Sequence, residues 1–320
     1  MKKLVLISTY FGSFPKNFGI WLKSAEANEG IDFLLYSDCD TSEYLPLPKN
    51  VKIVKTGFEE IKKKFEESFD FPIVLNTPYK FCDYKPAYGY VFENDIKAYG
   101  YWGHVDIDAV LGNIEKFLPE KEYEKIYQTG HLTIYKNTPE NNRRFMLDGG
   151  LLNYRDVFST ERICIFDEVG GMQEKFEFLG IPTYISRDYA DITKRSVRFT
   201  VSLTFTETAN KPVKNYPLQI FYYENGGVFR DYFIGDRLFT EEFNYIHFST
   251  RKPEDFTNGA NSFYITNSGF FPKEGETTKE IIVKYNPFNP ELDLKEAKRW
   301  KRDDKRKRIK NALTRIKEKL

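Results

Sequence analysis

The chain has 320 residues, 48 Lys and Arg against 47 Asp and Glu, a net charge of +1 and a hydrophobic share of 41%. That is enough to bury a sizeable core in one large domain or two small ones, and no apolar run reaches the roughly 18 residues of a membrane-spanning helix. The charge is uneven: residues 295–320 hold 13 Lys and Arg against four Asp and Glu, a balance of +9, so residues 1–294 carry −8. A basic end on an acidic body argues against nucleic acid as the partner.

In chain order, Met1-Lys2-Lys3 opens onto the apolar run Leu4-Val5-Leu6-Ile7. This is too short for a signal peptide and has no small-residue cleavage site, so it reads as a buried first strand. A helix is expected at 18–28, strands at 31–38 and 51–55, a helix at 58–69, a helix at 85–99 and a strand at 101–107. Alternation of this kind predicts a mostly parallel α/β sheet covered by helices, with ligands beyond the carboxyl ends of the strands. Residues 125–135 alternate as a strand, and 139–145 read as a short helix. Strands at 198–205, 218–223, 228–233 and 244–249 form an antiparallel addition, with Asn225-Gly226-Gly227 as one turn. The Gly-, Asn-, Ser- and Thr-rich stretch 257–278 reads as a loop. Cys39, Cys82 and Cys164 are odd in number and widely spaced, which suits a reducing, cytoplasmic compartment. The 22 Tyr and 29 Phe are chiefly core filling.

The sharpest chemical signal is Tyr101-Trp102-Gly103-His104-Val105-Asp106-Ile107-Asp108, an aromatic strand that delivers two carboxylates into the loop at its end. One or two carboxylates suffice for a hard divalent cation that keeps room for substrate phosphates. Such a pair is also common in surface turns. A second segment is Asn244-Tyr245-Ile246-His247-Phe248-Ser249-Thr250-Arg251-Lys252, where one of only three histidines ends a strand before two cations. Neutral imidazole ligates transition metals such as manganese, and Arg251 or Lys252 can clamp a diphosphate. The bland reading is a core histidine followed by a solvated basic turn. His104 reads as packed rather than liganding.

The Asp106-x-Asp108 strand end followed by His-Phe-Ser-x-Arg-Lys resembles the metal and diphosphate site of GT-A-type glycosyltransferases. It is also similar to a bacterial group associated with capsule and surface-polysaccharide synthesis, largely catalogued as of unknown function. Lys85-Pro86-Ala87-Tyr88-Gly89, 101–114, Gly130-His131-Leu132-Thr133, 166–172 and 247–252 carry the likeness. The resemblance implies a GT-A-like, Rossmann-like sheet and a hexosyltransferase, with Asp106, Asp108 and His247 holding Mn2+ or Mg2+. Asp106 and Lys252 would face the diphosphate of a nucleotide-sugar donor, UDP-sugar favoured, and the acceptor would be a glycan or lipid-linked glycan. Lys252-Pro253 is followed by Glu254, not by the Trp of the retaining galactosyl- and glucosyltransferases, so donor identity and stereochemistry do not transfer.

Position adds further candidates. Thr9 and Tyr10 follow the first strand and Asp38 the second, where a nucleoside would lie; Lys85 opens the helix before the metal strand, placed to contact the nucleotide. Each has an ordinary alternative as a cap, a turn residue or a surface lysine. Asp167-Glu168 heads an expected helix. One of the two could deprotonate an acceptor hydroxyl, and the alternative for Asp167 is an N-cap. Gly130-His131 could line the sugar pocket. Residues 1–255 read as the catalytic domain, 256–293 as a loop-rich extension and 294–320 as a basic amphipathic helix suited to an anionic membrane surface. Such a helix would hold the enzyme peripherally on the inner face. Two other classes compete. A nucleotidyltransferase would want a Gly-rich, basic phosphate loop, which Ser8 to Ser13 does not supply. A non-catalytic carbohydrate-binding or scaffold protein would not need Asp106, Asp108 and His247 to converge.

Overall fold

The computed structural model describes residues 4–192, 198–202, 214–249 and 251–295, with positions 298, 299, 302, 305 and 306 beyond them. The first half builds β1 (Leu4–Tyr10), α1 (Phe18–Glu26), β2 (Ile31–Ser37), β3 (Val51–Lys55), α2 (Phe58–Glu66), β4 (Tyr101–Val105), β5 (Ala109–Leu111), β6 (Lys125–Thr129) and β7 (Leu132–Lys136). The second half adds β8 (Thr183–Tyr184), β9 (Ala190–Asp191), β10 (Gln219–Glu224), β11 (Gly227–Ile234), β12 (Arg237–Phe243), β13 (Tyr245–His247), β14 (Glu254–Asp255), β15 (Phe263–Ile265) and β16 (Gly269–Pro272).

The main sheet has seven strands in the order β3-β2-β1-β4-β7-β6-β8. The pairs from β3 through β4 are parallel, and β7 is antiparallel to both its neighbours. The reason lies in the apolar runs. Along β1, Leu4 and Leu6 join Phe18, Trp21 and Phe33 on one face, while Val5 and Ile7 join Phe65, Tyr84 and Trp102 on the other. A strand buried on both faces reads as an unbroken apolar run and needs helices on both sides; α1 covers the first face and α2 the second. The fold is therefore the expected mixed α/β class, with a mostly parallel sheet flanked by helices.

The addition is a six-stranded sheet, β12-β11-β10-β15-β16-β14, antiparallel except for β14 beside β16; the strand expected at 244–249 is not in it, because β13 pairs with β5 and β9. Asn225 and Gly226 both take positive φ (51° and 78°) between β10 and β11, the left-handed pair of a type I′ hairpin. Residues 263–265 and 269–272 are strands in this sheet, not the loop expected over 257–278. The apolar Phe263-Tyr264-Ile265 and Phe270-Phe271 pack despite the polar residues around them. Strand β14 pairs with β16, so the sheet joins segments on both sides of residue 256.

Three other expectations change. Residues 85–99 are not one continuous helix but short helical turns at Lys85–Ala87, Tyr88–Val91 and Glu93–Ile96. Residues 125–135 form the β6–β7 hairpin rather than one strand. Of the strand expected at 198–205, residues 203–205 lie outside the described residues, and Val201 makes a single bridge to Ile192. Most of the expected 294–320 helix is likewise outside the described residues; its described positions are helical. Among the described residues no helix is long and apolar enough to cross a membrane.

Candidate metal and catalytic site

The fully buried run of β4 stops at Val105, and Asp106 takes the chain out past the sheet edge, since a carboxylate inside a packed strand would be unsolvated. Its backbone is fixed there: the Asp106 amide donates to the His131 carbonyl at 3.0 Å, and Phe248 donates to the Asp108 carbonyl at 2.9 Å. Strand β5 then pairs antiparallel with β13, placing Ala109 opposite His247, and β13 pairs parallel with β9, placing His247 opposite Asp191. This small sheet brings residues 108, 191 and 247 to one point.

Ligand atoms of Asp106, Asp108 and His247 all lie within 4.8 Å of one another, and so do those of His131, Asp191 and His247. The two sets share His247. Its Nδ1 lies 3.0 Å from Asp191 Oδ1 and its Nε2 lies 3.5 Å from Asp108 Oδ1. The His131 ring stacks on it at 4.2 Å between centroids, held by a 2.8 Å hydrogen bond between Nδ1 and the Tyr245 hydroxyl. Asp106 and Asp108 are part-exposed at 28% and 37%, which leaves the cluster open on one side. Two carboxylates and an imidazole are a donor set that suits a divalent metal ion.

Behind the cluster stands a buried charge bridge. Lys85 Nζ meets Asp106 Oδ1 at 2.6 Å, Asp167 Oδ2 at 3.0 Å and the Gly130 carbonyl at 2.8 Å. Lys85 thus faces two carboxylates, and Asp167, 3% exposed, faces Lys85. Asp167 makes no cap: the turn that follows, Val169–Gln173, has no side-chain capping bond. The segment ahead of it is clamped by buried Asp83, which accepts from the amides of Cys164 and Phe166, both at 2.9 Å, and pairs with Lys80 at 2.7 Å. Between the two clamped amides, Ile165 is forced to φ 52°, a left-handed conformation unusual for a β-branched residue. Gly130 is held to glycine by the same packing, since a Cβ there would lie 2.3 Å from Asp167 Oδ2.

The nucleoside-side candidates line the same sheet edge. Thr9 Oγ1 lies 2.8 Å from the hydroxyl of buried Tyr88. Tyr10 stands half-buried at the end of β1, stacked with Phe14. Exposed Asp38 accepts from the Gly12 amide at 2.7 Å, joining the loops that follow β1 and β2. Lys252 is exposed, five residues beyond His247. His104 is fully buried, as expected of a packed residue.

Residues 6–274 match the model of a family of unknown function, DUF6625. The chain belongs to this family. No curated protein sequence matches it. Among solved structures, the galactosyltransferase LgtC, determined in complex with donor and acceptor sugar analogues, aligns at 9% identity with a TM-score of 0.31. That alignment covers 59% of this chain and 74% of LgtC.

The electrostatics of this DUF6625 member follow from the geometry. Burial works to lower the His247 imidazole, but its contacts with Asp108 and Asp191 outweigh that and push it up to about 10. Burial, then the charge of His247, holds His131 well below the usual histidine range, so its ring is neutral. Burial raises the Asp167 carboxyl, with Lys85 opposing it. Burial also raises Glu168, again opposed by Lys85. Sequence reasoning passed over Asp191. Its one signal is a lone acid between the apolar residues Ala190 and Ile192, both buried here.

Proposed function

We propose that this chain is a divalent-metal-assisted glycosyltransferase that moves a hexosyl group from a nucleotide-diphosphate sugar, UDP-sugar favoured, to a glycan or lipid-linked glycan acceptor in polysaccharide biosynthesis. One observation carries the reading: the Asp106 and Asp108 pair and His247, well over a hundred residues further along the chain, bring ligand atoms within 4.8 Å of one another. They do so past the carboxyl ends of parallel strands, where open α/β sheets bind ligands. A scaffold would have no need of that convergence.

In this reading Asp106, Asp108 and His247 hold Mn2+ or Mg2+. A bound cation supplies positive charge against the diphosphate as the sugar bond breaks. Thr9, Tyr10 and Asp38 border the nucleoside. Lys252, exposed after β13, adds a cation for the diphosphate oxygens. Lys85 holds the Asp106 carboxylate in place through its 2.6 Å contact. Of the acidic pair, Asp167 is occupied with Lys85, whereas Glu168 is the more open. Glu168 is therefore the group that takes the proton from an acceptor hydroxyl, and Asp167 the one that fixes Lys85.

The test is a melting-temperature screen of the whole chain against UDP, GDP, CDP, dTDP and UDP-sugars, each with Mn2+ and with chelator. Ligand that binds only the folded state raises stability by mass action. The expected result is a metal-dependent rise with uridine nucleotides. No shift with any nucleotide in the presence of metal would sink the transferase reading. Asp108→Ala is expected to abolish transfer while leaving the melting temperature without nucleotide close to wild type.

A further inference from the structure

We infer that Asp191 is a positioning residue for His247: its carboxylate takes the Nδ1 hydrogen of the imidazole and so aims Nε2 at the space beside Asp108. The inference rests on the metal reading above and extends it to a residue beyond Asp106, Asp108 and His247. Asp191 Oδ1 lies 3.0 Å from His247 Nδ1, on the side of the ring away from Asp108. Its backbone is locked from both sides. Asp191 stands opposite His247 in the β9–β13 ladder. The next amide, Ile192, donates to the His247 carbonyl at 3.0 Å, and Ser202 donates to the Asp191 carbonyl at 2.7 Å.

An imidazole has two nitrogens, and the one that carries hydrogen is set by the bond the other must make. A carboxylate on Nδ1 commits that nitrogen as a donor and leaves Nε2 to face a cation, the carboxylate–histidine arrangement that orients metal-bound rings. The ring cannot turn to escape, because His131 stacks on its face at 4.2 Å and 15°. His131 is held in turn by the hydroxyls of Tyr245 and Thr129. Only three histidines occur in the chain, so each ring can be followed separately.

The experiment uses the full chain labelled with 15N-histidine, as wild type, Asp191→Asn and Asp191→Ala, with Asp108→Ala as the ligand control. Nitrogen-correlated proton spectra of the metal-free protein read the His247 Nδ1–H. Free Mn2+ is then titrated by electron paramagnetic resonance. The expected result is an exchange-protected Nδ1–H in wild type and Asp191→Asn, which keeps an acceptor oxygen, and its loss in Asp191→Ala. Mn2+ affinity should fall by about tenfold to a hundredfold in Asp191→Ala, less in Asp191→Asn, and essentially vanish in Asp108→Ala. A wild type without the protected Nδ1–H, an Asp191→Ala variant that binds Mn2+ like wild type, or an Asn variant as weak as the Ala variant overturns the positioning role. Failure of the metal reading looks different: an intact Nδ1–H signal with no Mn2+ uptake by wild type, which removes the purpose assigned to Asp191 as well.

Discussion

Replacing Lys85 with Met tests whether the charge bridge behind the site holds two carboxylates in place. The variant keeps the side chain's length and apolar stem but removes the ammonium that meets Asp106 at 2.6 Å, Asp167 at 3.0 Å and the Gly130 carbonyl at 2.8 Å. Asp106 is part-exposed and can turn to water; Asp167, 3% exposed, cannot. Removing one partner of a buried pair leaves an uncompensated charge and costs about 3–5 kcal/mol. The cost depends on pH with a definite sign. Burial already raises the Asp167 carboxyl and Lys85 opposes that, so without Lys85 it rises further. A carboxyl whose folded pKa lies above its unfolded value destabilises the fold when ionised and recovers stability as pH falls through the folded value. Urea unfolding of Lys85→Met against wild type should therefore show a larger deficit at pH 8 than at pH 5. A deficit below about 1 kcal/mol, or one equal at both pH values, would refute the bridge.

Other outcomes follow from single features. In Gly130→Ala the new Cβ would fall 2.3 Å from Asp167 Oδ2 and 3.0 Å from Glu168 Oε1, so melting should drop by the equivalent of about 1–3 kcal/mol, as for overpacking. Ile165→Asn relieves a left-handed β-branched residue that is 55% exposed; denaturant unfolding should show a gain of about 1 kcal/mol, and a loss would mean the Ile165 side chain packs more than its exposure implies. Buried Lys125, bonded to Gln173 and the Tyr127 carbonyl, is pushed down to about 7 by burial, with Glu177 and Glu168 opposing. The unfolded chain then binds the extra proton from about pH 7 to about 10.4, and stability rises with pH there by up to about 1.4 kcal/mol per unit. Lys125→Met should flatten that slope, as followed by urea midpoints at pH 7, 8 and 9.

Much of the frame was legible because it is written in local pattern. The runs Leu4-Val5-Leu6-Ile7 and Phe33-Leu34-Leu35 admit few alternatives to a two-sided buried strand, and the observed bounds of β3 are the expected ones. The pairing of Asp106 and Asp108 with His247 could be anticipated from strand ends, and the structure brings the three together. What escaped is tertiary in origin. The 85–99 stretch has helical composition, but it is broken into short turns packed so closely that a Cβ on Gly89 would lie 2.3 Å from the Trp102 ring. Asp191 belongs to a two-residue strand that exists only because β13 lies beside it. Lys85 looks like any surface lysine until Asp167 is folded against it.

The sheet β5-β13-β9 has a consequence for how the molecule matures. Its strands come from residues 109–111, 190–191 and 245–247, so the ligand cluster closes only after long-range pairing, the slow kind of contact in folding. A nascent chain cut short of Tyr245 would own both carboxylates of the pair but lack the imidazole that completes the cluster. Under the proposed metal reading the cluster is assembled only once residue 247 has been made, and a captured ion would fasten together segments more than a hundred residues apart, as a clasp closes a belt after it has been threaded.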